Sequence, residues 1–455
     1  MVAKHPSENS RLAALNILLQ VLPGAESPKS LNQLLQSDQN QSESPFTQAM
    51  VYGVCRYYRP LQTLVSQRLA KPLRSKDRDI NLILLLGLYQ ILFSNKPAHA
   101  VLNQTTELAR KRRKKWASGL VNGVLRGLQR DHIAGKLSAI SPKSCLPDWL
   151  RETIFESYGT QQAQEIFDNS LIPAPMSLRH NPLYQSTADF ERKLGEHKIQ
   201  GLWSPITPEC FTLDAPRSVN DIPGFMEGSC SVQDEAAQWA TRFLDPNPNT
   251  RVLDACAAPG GKTGHLLEWA RALDLTALDV SATRIKSVQS NLARLNHKKD
   301  DSAQASKISV IAANAADTDA WWSGELFDAI LLDAPCSGTG VLRRHPDIFW
   351  LRRASDIESL VKVQHSLLTS LWQTLAPGGK LLYCTCSILP QENSHQIAQF
   401  LTTHPDATLK NLDSTPLAKS SKIERPNIAQ YFGLQILPKA NQHDGFYYAL
   451  LTKSG

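Results

Sequence analysis

At 455 residues, 42% of them apolar and 20% charged, the chain is too long for a single hydrophobic core and too apolar to stay disordered, so roughly two to four folded domains are expected. No apolar run reaches the roughly 18 residues of a membrane span: the longest, residues 80–93, is broken by Asn81 and Gln90, and the leucines of residues 12–22 are broken by Asn16 and Gln20, which argues against a signal peptide. The net charge of +7 is a modest surplus, and eight scattered cysteines point to a reduced, cytoplasmic compartment rather than a disulfide scaffold.

From Ser10 to about Gln129, apolar residues recur every three or four positions, which predicts helices over 31–35, 50–58, 61–69 and 80–93. Residues 1–139 are read as an all-helical domain. Its end carries six consecutive basic residues, Arg110 to Lys115, a run that suits RNA phosphates or, equally, a solvated helix end. Residues 140–235 are punctuated by proline and carry candidate strands at 176–180 and 210–213, so they read as a small α+β module. From 236 to 455 short apolar strands at 251–255, 275–279, 308–312, 329–333 and 380–385 have helices between some of them, at 263–273, 282–295, 357–375 and 392–401. This alternation implies a C-terminal α/β Rossmann-like domain with a mostly parallel sheet, closed by an antiparallel pair at 434–437 and 446–451.

The strand ending at Asp254 runs into Ala255, Cys256, Ala257, Ala258, Pro259, Gly260, Gly261 and Lys262 before a helix begins. Small residues there let backbone amides approach a ligand, and the helix N-terminus favours a carboxylate. Asp279, at the end of the next strand, can accept hydrogen bonds from two ribose hydroxyls, so a nucleoside cofactor is expected. A phosphate-binding loop is excluded because Cys256 stands where its leading glycine must be, and Gly260, Gly261 and Gly264 lack the spacing of a dinucleotide site.

Two further strands run into Asp333-Ala334-Pro335-Cys336-Ser337 and into Cys384-Thr385-Cys386-Ser387, at the same edge of the sheet. Carbon 5 of cytosine is a poor nucleophile, so its methylation needs a thiolate to add first at carbon 6, and a second group to help remove the carbon 5 proton. Two cysteines on one edge suit that division of labour, and chemistry alone leaves open which one attacks. Asp333 is placed to pair with the amino group and ring nitrogen of the base, assisted by the Pro335 carbonyl, provided the base is flipped out or unpaired. The following run Arg343-Arg344-His345-Pro346-Asp347 is a candidate phosphate contact. Cys384 and Cys386 have no second pair at zinc-like spacing, so no metal is expected.

At these residues the sequence resembles the bacterial 16S rRNA (cytosine-5)-methyltransferases of the RsmB/Sun/Fmu family. The resemblance covers the cofactor loop, Asp279, both cysteine stretches, Arg343 to Asp347, Pro390-Gln391-Glu392-Asn393, Asp444-Gly445-Phe446 and the run from Gly228 to Asp234. Further upstream, residues 97–103 and 121–126 look like the NusB-like RNA-binding domain of that family. The resemblance implies S-adenosylmethionine as methyl donor, 16S rRNA as substrate, Cys386 as nucleophile and Cys336 as the thiol that assists product release. It carries cofactor contacts onto Cys256 through Lys262, Asp279 and Asp333, and onto Asn314, where the family usually has an acidic residue; Asp317 follows three positions later. A monomer with no membrane partner is expected.

Overall fold

A computed structural model describes residues 6–35, 45–295, 305–412, 415–420 and 432–455. The chain forms two compact units, one of residues 1–155, 163–171 and 342–353, the other of residues 156–162, 172–341 and 354–455. Among the described residues no helix is long and apolar enough to cross a membrane, and no group of three or more His, Cys, Asp or Glu could hold a metal ion.

The first unit is helical. Helices Pro6–Val21, Pro45–Ser66, Ala98–Lys111 and Ala117–Ile133 pack around Arg78–Phe93, which is apolar on nearly every side from Ile80 to Leu88 and is accordingly buried. The two periodic stretches expected at 50–58 and 61–69 are one helix, with Pro60 inside it. Much of the basic run is spent on internal ties: Lys114 Nζ lies 3.0 Å from Asp77 and 2.6 Å from Asp79, Arg112 pairs with Asp79 and Arg110 with Glu107. Residues 342–353 belong to this unit, where the Arg56 guanidinium donates to the Arg343 carbonyl at 2.8 Å, Asp347 accepts the Leu31 amide at 2.9 Å and Trp350 Nε1 donates to the Cys55 carbonyl. Arg343 and Asp347 are only 2% and 3% exposed, so these two pack inside the helical unit and do not offer the phosphate contact expected of them.

The second unit holds two sheets. Strands β1 (Ser177–His180), β2 (Gly201–Trp203), β3 (Cys210–Leu213) and β4 (Cys230–Val232) pair antiparallel in the order β2-β3-β1-β4, and the helix Thr187–Glu196 covers them with Phe190 and Leu194. The larger sheet contains β5 (Arg251–Ala255), β6 (Asp274–Asp279), β7 (Lys307–Ala312), β8 (Phe327–Asp333), β9 (Leu375–Thr385), β10 (Ala407–Leu409), β11 (Leu434–Ile436) and β12 (Phe446–Lys453). Its order is β10-β12-β9-β8-β5-β6-β7; β5 through β9 are parallel, while β12 runs antiparallel to β9, β10 and β11. The central strands are covered on both faces, which is why they read as continuous apolar runs rather than alternating ones. The strand order reverses between β5 and β8, and the crevice outside their carboxyl ends is where such sheets bind ligands.

Candidate active site

The cofactor loop leaves β5 in an uncommon conformation. Cys256 holds φ 68°, a left-handed backbone that costs a residue with a side chain energy, and Gly260 holds φ 99°, where a Cβ would lie 3.0 Å from the Val288 Cα. The Ala257 amide donates to the Leu278 carbonyl, and the Ala258 amide to Asp279 Oδ2 at 3.2 Å, so Asp279 ties the loop to β6. Pro259 follows a cis bond, and Gly261 opens the helix Gly261–Trp269, whose first turn has no side-chain cap. Asp254, fully buried, accepts the Thr263 hydroxyl at 2.6 Å through Oδ2, while its Oδ1 has no partner. Burial, reinforced by the Asp333 and Asp279 carboxylates, pushes the Asp254 pKa up to about 7. An orphaned buried acceptor, uncapped helix amides and a second carboxylate form a donor and acceptor set that suits S-adenosylmethionine, which brings an ammonium, a carboxylate and a ribose diol. Asn314 lies just past β7, exposed, with its side chain turned back to accept the Ala316 amide at 3.1 Å.

The cysteines meet. Cys336 Sγ and Cys386 Sγ are 3.4 Å apart, at the carboxyl ends of β8 and β9. The interaction with Cys386 first, then burial, holds the Cys336 thiol well above its ordinary pKa. Asp333 receives Lys262 Nζ at 2.6 Å and keeps 30% of its side chain exposed. Burial works against the Lys262 ammonium, yet Asp333 more than offsets it, and the lysine pKa ends above its ordinary value. Cys384 has a structural place: it is buried, pairs in register with Asp333, and points its thiol at Asp333 Oδ1, 3.5 Å away. The Pro335 carbonyl accepts Gln364 Nε2 at 2.9 Å. Gly340 donates to the Cys386 carbonyl and accepts the Gly445 amide; a Cβ there would lie 2.2 Å from the Gly445 oxygen, so no side chain fits.

Three groups around the site have no role assigned to them by the sequence: Glu392 and Asn393, which stand in a motif of unstated purpose, and Arg179, which stands in none. Glu392 and Asn393 lie under the cysteine loops, where Asn393 accepts the Thr385 hydroxyl at 2.6 Å and donates to the Ser387 carbonyl at 2.9 Å, gripping both neighbours of Cys386. Arg179, on β1, forms a buried bidentate pair with Glu268 at 2.9 Å to each oxygen and donates to the Gly261 carbonyl behind the cofactor loop.

Comparison with known proteins agrees with this geometry. The family described as 16S rRNA methyltransferase RsmB/F matches residues 241–452, the NusB family residues 8–130, and a ferredoxin-like domain of RsmF/B-like methyltransferases residues 146–220. Ribosomal RNA small subunit methyltransferase B of Shewanella oneidensis is 40% identical over 452 residues, covering 98% of this chain and 99% of its own. The protein of that name from Pasteurella multocida is 41% identical, with 98% and 96% covered. The solved structure of a methyltransferase homolog from Pyrococcus horikoshii superposes with a TM-score of 0.56 at 27% identity, over 68% of this chain and 95% of that one. With two full-length relatives at this identity, and a sheet edge that brings together the loop and thiols expected of it, the chain belongs to the 16S rRNA methyltransferase RsmB/F family.

Proposed function

We propose that this enzyme methylates carbon 5 of a cytosine in 16S rRNA through a covalent bond from Cys386 Sγ to carbon 6 of the base. It is an S-adenosylmethionine-dependent RNA methyltransferase, as its family is. The observation that carries the covalent reading is the 3.4 Å approach of two thiols at the same sheet edge as the cofactor loop. Cys386 is assigned as the sulfur that attacks and Cys336 as the thiol that assists release, the roles that the family resemblance implies. When bound, the cofactor supplies a sulfonium methyl as electrophile. Asp333 accepts from the amino group of the base, and from its ring nitrogen once that nitrogen, made more basic by addition at carbon 6, has taken a proton from solvent that it returns on elimination, while Lys262 holds the Asp333 charge in place. Once Cys386 is a thioether it no longer presses negative charge on Cys336, so Cys336 gives its proton to solvent more readily and its thiolate takes the carbon 5 proton. Loss of that proton re-forms the ring double bond and expels Cys386. The cofactor contacts are assigned to Cys256 through Lys262, Asp279, Asp333 and Asn314, and RNA contact to the helical residues 1–139, where Arg113 and Lys115 are exposed. The enzyme is placed in the cytoplasm, as a monomer.

The test is transfer of radiolabelled methyl to unmodified 16S rRNA, free and in partly assembled particles, with transfer RNA alongside. Label recovered as 5-methylcytosine in rRNA is expected; label in transfer RNA alone overturns the substrate, and label at another atom overturns the chemistry.

Asp254 gives a pH signature in the cofactor-free enzyme. Its folded pKa of about 7 lies above its unfolded value, so its contribution to stability is present below about pH 4 and is lost as pH rises through 7. Asp254→Asn is expected to remove that slope, gaining about 4 kcal/mol on the wild type between pH 4 and pH 8. Urea unfolding across that range checks it, and parallel curves for the two proteins would refute it.

A further inference from the structure

We infer that Glu392 is a positioning residue which locks the two cysteine loops into register by accepting hydrogen bonds from both at once. The inference rests on the covalent reading proposed above and adds a residue to it. Glu392 is 0% exposed, and among the described residues no lysine or arginine forms an ion pair with it. Burying a carboxylate this way is costly unless several donors converge on it. Four do. Its Oε1 accepts the Ser337 amide at 2.8 Å and Gln364 Nε2 at 3.0 Å, and its Oε2 accepts the Ser337 and Ser387 hydroxyls, both at 2.5 Å.

Ser337 directly follows Cys336 and Ser387 directly follows Cys386, so one oxygen atom joins the chain next to each thiol. Gln364 also holds the Pro335 carbonyl, the residue before Cys336, and the Tyr383 hydroxyl donates to the Glu392 carbonyl at 2.7 Å, fixing the backbone beneath. The Thr339 hydroxyl closes the network with Ser337 at 3.1 Å and Ser387 at 3.1 Å. Only an ionised carboxylate accepts at both oxygens with no proton of its own to place. A glutamine puts an NH2 group where two hydroxyls now donate, and an aspartate falls one methylene short of spanning the two serines. Glu392 acts through the two serines, whose hydroxyls donate to it. Its charge also helps to hold the Cys336 thiol above its ordinary pKa.

The test compares full-length wild type, Glu392→Gln and Glu392→Asp. In both variants kcat for methyl transfer is expected to fall about 100-fold, the loss typical of reacting groups displaced by about 1 Å. The KM for S-adenosylmethionine should stay within about threefold, because the cofactor loop is held by other residues. The second readout needs no RNA: phenylarsine oxide bridges two thiols only when they lie close together, and its capture by Cys336 and Cys386, mapped by mass spectrometry, should weaken at least tenfold in both variants while their circular dichroism stays native. Wild-type kcat in Glu392→Gln, or undiminished arsenical capture in both variants, would overturn the inference. Weakened capture with no methyl transfer even in the wild type would instead leave the positioning role standing and sink the proposed reaction. A variant that fails to fold is replaced by Ser387→Ala, which removes one arm of the bridge and is held to the same two criteria.

Discussion

Cys386→Ala is expected to abolish methyl transfer, by a factor on the order of 10⁴ or more, while S-adenosylmethionine binding persists. Cys384, two residues away, does not replace it, because it is buried against Asp333. Cys336→Ala should behave differently. It leaves the attacking sulfur and the methyl donor site intact but removes the group that assists the second half of the reaction, so the Cys386–cytosine bond forms and is not resolved. Incubation with RNA and cofactor should give an adduct that survives denaturing electrophoresis, with up to one RNA bound per enzyme and no turnover. The double variant Cys336→Ala/Cys386→Ala should give none, and Cys384→Ala should keep activity within about tenfold, since it touches Asp333 only through a long thiol contact of 3.5 Å. An adduct formed by Cys386→Ala and lost in Cys336→Ala would exchange the roles of the two sulfurs.

How far the sequence foretold this site depends on the range of each interaction. The parallel strands were legible because burial on both faces makes them short apolar runs ending in Asp254, Asp279 and Asp333, and the loops at those ends are local in sequence. The helix expected over 263–273 stops at Trp269: Ala270 is extended and Ala272 turns left-handed to start β6, although both are good helix formers, so the sheet overrides propensity there. Residues 342–353 follow the cysteine loop in sequence, yet they pack with helices from the first 155 residues, through bonds spanning about 290 to 316 positions that no periodicity reveals. Glu392 was visible as part of a motif, but its purpose depends on Ser337, 55 residues away. Cys384, unexplained in the sequence, acquires a reason only when β8 and β9 pair and set it opposite Asp333.

Arg179 shows the same gap and gives the largest expected effect on stability. Its side chain and that of Glu268 are 0% and 3% exposed, and the guanidinium spans both carboxylate oxygens. Arg179→Ala leaves the Glu268 charge buried without a partner, which should cost the unit about 3 to 5 kcal/mol in chemical unfolding. Replacing the whole pair, as Arg179→Met/Glu268→Leu, restores a neutral interior of similar volume and should recover most of that loss. The cofactor separates the two roles of the arginine. Arg179 Nη1 also donates to the Gly261 carbonyl at 2.9 Å, holding the first residue of the helix that follows the cofactor loop. Because the double variant still lacks that bond, it should bind S-adenosylmethionine about tenfold more weakly than wild type even though it is stable, the cost of one hydrogen bond from a charged donor. Isothermal titration on both variants decides this: wild-type affinity in the stable double variant would mean that Arg179 serves the fold alone, whereas weak binding without instability ties β1 of the small sheet directly to the geometry of the cofactor loop.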